Sequence, residues 1–180
     1  MTQPSIAQPR IAPLTETECN EEQRELIAKG GPMRQLNIFR TLVRHTALYR
    51  AFMKFGGHIL GANTLDPRSR ELLILRAGHL SKCAYEVHQH NRIGKSVGLG
   101  DAELERIAVG PSAPEWSARE RTLLQAADEL HGHQKISDAT WAVLVKDWNE
   151  QQLMDLVFTV GQYTMVSMFL STFGVQIERA

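Results

Sequence analysis

Between Glu21 and Phe173 the chain is punctuated as a series of helices, and no stretch of strand length alternates cleanly between apolar and polar residues. A half-buried strand requires that period of two, whereas an amphipathic helix requires a period near 3.6. Start signals are plain. Asn20 precedes EEQRELIAK, Asp66-Pro67 precedes the apolar positions Leu72, Leu73, Leu75, Ala77 and Leu80, and Ser117 with Glu120 forms a capping box. Gly30, Gly61, Gly98 and Gly132 read as stops. The spacing predicts helices over 21–29, 34–43 and 47–60, then from Pro67 to a break between Gly78 and Lys82. Ser81 is the expected N-cap of the next helix, with Cys83 in its first turn and an end near Val97. Further helices are expected from Asp101 as a cap to Ala108, from Ser117 to His131-Gly132, from Ser137 to Asp147, and over 151–173 with a bend at Gly161. The fold class is therefore all-α, with eight or nine helices.

A chain of 180 residues with 43% hydrophobic and 22% charged residues can bury a proper core. We expect an extended arm over residues 1–15, which holds Pro4, Pro9 and Pro13, and one helical domain over 16–180. Lys plus Arg and Asp plus Glu both total 20, and this balance argues against a nucleic-acid partner. The N-terminus shows no apolar segment of a secretory signal. The apolar stretch Leu156 to Leu170 is interrupted by Gly161, Gln162, Tyr163 and Thr164, and falls short of the roughly 20 residues of a membrane span. Cys19 and Cys83 form no disulfide framework, so a cytoplasmic protein is expected. The 151–173 helix is apolar on most sides, which suits either a central core helix or a subunit interface.

Chemistry concentrates in ELLILRAGHLSKCAYEVHQH, residues 71–90. Cys83, Glu86 and His90 are spaced i, i+3 and i+7, so they share one helix face. A cysteine at a helix start feels the positive end of the dipole, which favours the thiolate. Glu71 lies about 18 Å from Cys83 along a straight helix and joins the group only if the chain turns near Ser81. Each residue has a plain structural reading as well: Cys83 as a small core residue, Glu86 and His90 as a solvated pair, Glu71 as a complement to the dipole. His88 and His90 lie about 200° apart on a helix, so no metal site is expected. The glycine pairs Gly30-Gly31 and Gly56-Gly57 precede no Lys-Ser/Thr, so no phosphate loop is supported and no cofactor is expected. His131 and His133 read as helix-end residues, and Trp116, Trp141 and Trp148 as core or interface.

The stretch RELLILRAGHLSKCAYEVHQH followed by GLGDAELERIA resembles the carboxymuconolactone decarboxylase and AhpD-like alkylhydroperoxidase superfamily. NIFRTLVRHTALYRAFMKFGG, RTLLQAADELHGHQKISDATWAVL and GQYTMVSMFL extend the resemblance over roughly residues 35–175. It implies a helical homo-oligomer, a trimer or hexamer. Peroxidase members use a glutamate, a Cys-x-x-Cys pair and a histidine. Glu71, Cys83 and His90 match the glutamate, the first cysteine and the histidine, but Glu86 stands where the second cysteine would be. CAYE cannot close a local disulfide. The resemblance is to a branch that often carries Trp at Val87 and His-Pro at His45-Thr46, and this chain departs from it at both places.

The leading expectation is acid–base decarboxylation or isomerisation of a small lactone- or enol-type acid. Glu86 and His90 would be the acid–base pair, and Glu71 would orient His90 or Cys83. The first alternative is a thiol peroxidase using Cys83, with Cys19 more a bystander than a resolving thiol. The second is a helical oligomer that binds a ligand without catalysis.

Overall fold

The computed structural model describes residues 8–178. The start of the expected arm, and of the stretch inspected for a secretory signal, lies outside the described residues. Nine α-helices follow in order: α1 (Glu21–Ala28), α2 (Asn37–Leu42), α3 (Thr46–Gly57), α4 (Pro67–Leu80), α5 (Ala84–Ser96), α6 (Asp101–Val109), α7 (Ala118–His133), α8 (Asp138–Asp147) and α9 (Glu150–Phe173). A 3-10 turn (Pro32–Gln35) precedes α2, and a π turn (His58–Ala62) continues α3. No strand occurs among the described residues.

The capping residues act as their chemistry dictates. Asn20 Oδ1 accepts from Gln23 N–H at 2.9 Å, Asp66 from Ser69 N–H at 2.9 Å, and Ser117 Oγ from Glu120 N–H at 3.2 Å. Each such cap is worth about 1 kcal/mol.

Several expected boundaries move. Leu36 adopts an extended conformation (ψ 146°) and splits the 34–43 helix into the 3-10 turn and α2. The π turn carries the chain through Gly61. Gly100, not Asp101, is the N-cap of α6, because Glu103 reaches back to its N–H at 2.9 Å. The α7 helix runs through Gly132, and the left-handed residue that ends it is Gln134 (φ 59°), whose N–H bonds Leu130 O. A mid-helix glycine costs only about 1 kcal/mol and need not terminate a helix. The last helix is continuous through Gly161.

The most enclosed element is α4. Residues 71–78 are all buried, and α5, α6, α7 and α9 pack around it. Burying each large apolar side chain in that run contributes about 1.5–3 kcal/mol. Its one buried cation is matched: Arg76 Nη2 donates to Asp128 Oδ2 at 2.8 Å, and Nη1 to the carbonyls of Ile107 and Ala108 at 3.0 and 2.8 Å.

The other long helix, α9, has two characters. Leu153, Leu156, Val160, Tyr163, Val166 and Leu170 face the core. Met154, Phe158, Met165 and Met168 are exposed, on the opposite side. By length and composition α9 is apolar enough to cross a membrane, with mean hydropathy 1.4 over its best window, yet 56% of that window is buried against other helices. The sequence reading counted only Leu156 to Leu170, and the helix that contains this stretch is longer, Glu150–Phe173.

Candidate active site

A tight turn between α4 and α5 brings the chemistry together. Ser81 closes α4, Lys82 takes a left-handed conformation (φ 53°), and Cys83 N–H bonds back to Gly78 O at 2.9 Å. This is a Schellman-type end, reached here without glycine. The expected N-cap Ser81 is thus the last cap of α4. Cys83 itself is the N-cap of α5, with no side-chain hydrogen bond to the helix. The turn makes α4 and α5 a hairpin, and residues that would be far apart in one helix become neighbours.

Glu71, fully buried on α4, places Oε2 2.7 Å from His90 Nδ1 on α5. Its other oxygen is 3.6 Å from Arg70 Nε. With Nδ1–H donating to this carboxylate, Nε2 is the nitrogen left for a ligand, the arrangement that orients an imidazole for proton transfer. Glu86 is also buried (2% exposed), but its partner is different: Ser167 Oγ–H on α9 donates to Oε2 at 3.0 Å, and Oε1 has no hydrogen bond. Burial therefore pushes the Glu86 carboxyl well above its ordinary range, and the single hydroxyl offsets this only in part. The protonated form of Glu86 is thereby favoured relative to an exposed carboxyl. The close approach of this side chain needs Gly78, where a Cβ would lie 3.1 Å from Oε1. No hydrogen bond joins Glu86 to His90 directly; the two meet across a cavity.

Cys83 is 3% exposed, and burial raises its thiol, with the neighbouring Glu86 adding to the shift. Amide and hydroxyl groups of Glu86, Ser167 and Ser171 act in the opposite sense and do not prevail. The sequence expectation of a dipole-favoured thiolate is thus corrected: desolvation outweighs the helix start. Cys83 packs with Tyr85, Val166, Leu170 and Val175, whereas Cys19 packs with Leu14, Leu26, Ile27 and Val43 in a separate cluster, and both thiols are free.

The cavity holds about 730 Å³. Glu86, His90, Gln162 and Tyr163 line it, among mostly apolar residues, while Glu71 and Cys83 stand behind its wall. Of the four residues singled out by sequence, Glu86 and His90 line the cavity, Glu71 reaches it only through its bond to His90, and Cys83 is its neighbour. Sequence reasoning missed the α9 contribution. Tyr163 meets the His90 ring edge to face, centroids 4.8 Å apart, and burial pushes its hydroxyl well up, with Glu71 and Glu86 adding. Tyr163 and Ser167 lie i, i+4 on one face of α9, but nothing in that local spacing connects them to the hairpin. Among the described residues no group of three or more His, Cys, Asp or Glu side chains is arranged to hold a metal ion.

The sequence model of the carboxymuconolactone decarboxylase family matches residues 46–129, which span α3 to α7 and include Glu71, Cys83, Glu86 and His90. The match covers 84 of the 180 residues, a little under half of the chain. Solved structures extend the likeness beyond this family segment. An uncharacterized peroxidase-related protein from Silicibacter sp. TM1040 superposes with TM-score 0.81 at 15% identity, covering 96% of this chain and 95% of the other. An AhpD-core peroxidase-related protein from Ralstonia eutropha JMP134 gives 0.80 at 17% identity, covering 96% and 94%. A debrominase in its apo form gives 0.77 at 14% identity, covering 93% and 91%. At these identities the likeness establishes the AhpD-like fold. No curated protein matches the sequence.

Proposed function

We propose that this carboxymuconolactone decarboxylase-like chain is an acid–base enzyme acting on a small enolisable organic acid, by decarboxylation or isomerisation. The observation that carries the reading is the pairing of Glu71 with His90 at 2.7 Å beside a cavity that also presents Glu86, a buried carboxyl held above its ordinary range. Two carboxyls in one site with different partners supply the two roles such chemistry needs. His90 Nε2 moves the proton at carbon. The Glu86 O–H donates to the oxygen on which enolate charge develops. In an isomerisation, His90 takes a proton from one carbon and returns it to another. In a decarboxylation, the C–C bond electrons pass to the enolate, carbon dioxide leaves, and His90, protonated from solvent, delivers the proton to carbon. Turnover of a panel of unsaturated lactone acids and β-keto acids, followed by carbon dioxide release and absorbance, tests this. His90→Asn and Glu86→Gln each reduce turnover by about 10²–10⁴; unchanged turnover in both overturns it.

The thiol-peroxidase alternative finds less support, because the Cys83 thiol is raised by burial and does not line the cavity. Peroxide consumption by the wild type, supplied with a reducing thiol and lost in Cys83→Ala, would favour that alternative.

We propose further that the chain self-associates through α9. Met154, Phe158, Met165 and Met168 recur at spacings of four and three residues with exposed Gly161 between them, a seam suited to another helix. Light scattering reporting several times 20.2 kDa supports this, and a monomer overturns it.

A further inference from the structure

The cavity is larger and more apolar than a small diacid requires. Its volume of about 730 Å³ lies within the roughly 300–1,000 Å³ range of pockets that enclose drug-sized ligands. Phe39, Phe52, Met53, Ile59, Ile93 and Leu170 are among the apolar residues of its wall. Such a surface favours a ligand with a sizeable hydrocarbon or aryl body.

Two arginines line the cavity, the exposed Arg92 and the more enclosed Arg34. Arg34, half-buried in the 3-10 turn, donates from Nη1 to the Tyr49 hydroxyl at 2.9 Å. Its guanidinium lies 5.2 Å from the Phe39 ring centroid and 5.8 Å from that of Tyr49. These contacts and the one hydrogen bond to Tyr49 leave most of its five donors unused. Arg50, Arg68, Arg76 and Arg106 each face a carboxylate, whereas Arg34, like Arg24, Arg40 and Arg44, pairs with none among the described residues; of these four only Arg34 lines the cavity. Its pose also depends on a specific neighbour: a Cβ on Gly30 would lie 1.8 Å from Arg34 Cγ. A prearranged guanidinium in an apolar wall, with no internal counter-ion, is complementary to a single anionic group on the ligand.

We propose that the site takes an amphipathic monoanion, an apolar body bearing one carboxylate held by Arg34, rather than a short dicarboxylate. This rests on the acid–base reading of the same cavity and specifies its substrate class. Arg34 is then a specificity-determining residue and Gly30 the residue that positions it.

Titration calorimetry of the full chain with octanoate, 1-octanol and adipate tests the assignment without turnover. Octanoate is expected to bind one per chain and at least tenfold more tightly than either of the others. Arg34→Met should bring octanoate to the level of octanol, Arg34→Lys should keep part of the preference, and Gly30→Ala should weaken octanoate selectively. Thermal melts of each variant identify any that fail to fold, and Arg34→Lys then carries the comparison. Adipate binding as tightly as octanoate, or a preference for octanoate over octanol untouched in Arg34→Met, overturns the proposal. The two readings fail separately. His90→Asn should bind octanoate as the wild type does while losing turnover, so loss of selectivity condemns the substrate class and unchanged turnover condemns the acid–base chemistry.

Discussion

Glu71 and Glu86 are both carboxyls buried to within 2% of full enclosure, on adjacent helices of one hairpin, and their surroundings give them different partners. Glu71 meets an imidazole at 2.7 Å; Glu86 meets only a serine hydroxyl at 3.0 Å. For Glu86 the lone hydroxyl only partly offsets desolvation, and its carboxyl is raised. Burial alone therefore does not say what a carboxyl does; the identity of its partner decides.

The largest expected effect tests that statement directly. Glu71→Gln removes the carboxylate from a buried pair and should cost about 3 kcal/mol or more in urea denaturation, together with most of the turnover. Glu86→Gln replaces a neutral acid by a neutral amide and should change stability at pH 5 by less than about 1 kcal/mol, while turnover falls. Equal losses of stability in the two variants would break the comparison.

A pH series sharpens it. Glu86 has a raised value in the folded state, so the folded protein holds its proton where the unfolded chain, at the ordinary carboxyl value of 4.5, releases it. Stability associated with this group is fully present below that value and declines as pH rises toward the folded-state value. The wild type should lose stability over this interval relative to Glu86→Gln, and parallel curves would show that Glu86 is not held neutral. Ser167→Ala leaves Glu86 Oε2 without its donor and should cost about 1–3 kcal/mol. Since that hydroxyl lowers the Glu86 value, its loss should move the basic limb of the pH–rate profile to higher pH. The smallest effect is expected of Cys83→Ala, outside the cavity wall: turnover within about threefold of wild type, less than one tenfold step of 1.36 kcal/mol.

Much of this molecule is legible in its sequence, for identifiable reasons. Asn20, Asp66, Ser117 and Ser137 announce helix starts because a short polar side chain caps an orphan N–H whatever the tertiary context. Stops were less legible. Gly61 and Gly132 remain in helical turns, Gln134 rather than Gly132 takes the left-handed position that ends α7, and Lys82 takes the left-handed position in the expected break after Gly78. Glu71, Glu86 and His90 were identifiable from local spacing plus one presumed turn. Tyr163, Ser167 and Arg34 were not, because they come from segments distant in sequence and carry no short-range pattern that connects them to the hairpin.

The helical punctuation by itself determined the all-α class, since caps and a 3.6-residue period act over a few residues and need no partner. It also placed three polar residues within reach of one another. Only the tertiary structure decided what they are. Packing α9 across the hairpin buries Glu86 and Cys83 and gives Glu86 its one hydroxyl. Folding the hairpin joins Glu71 to His90 instead of Glu86 to His90. Charge state depends on desolvation and on the nearest partner, and both are set by side chains far away along the chain.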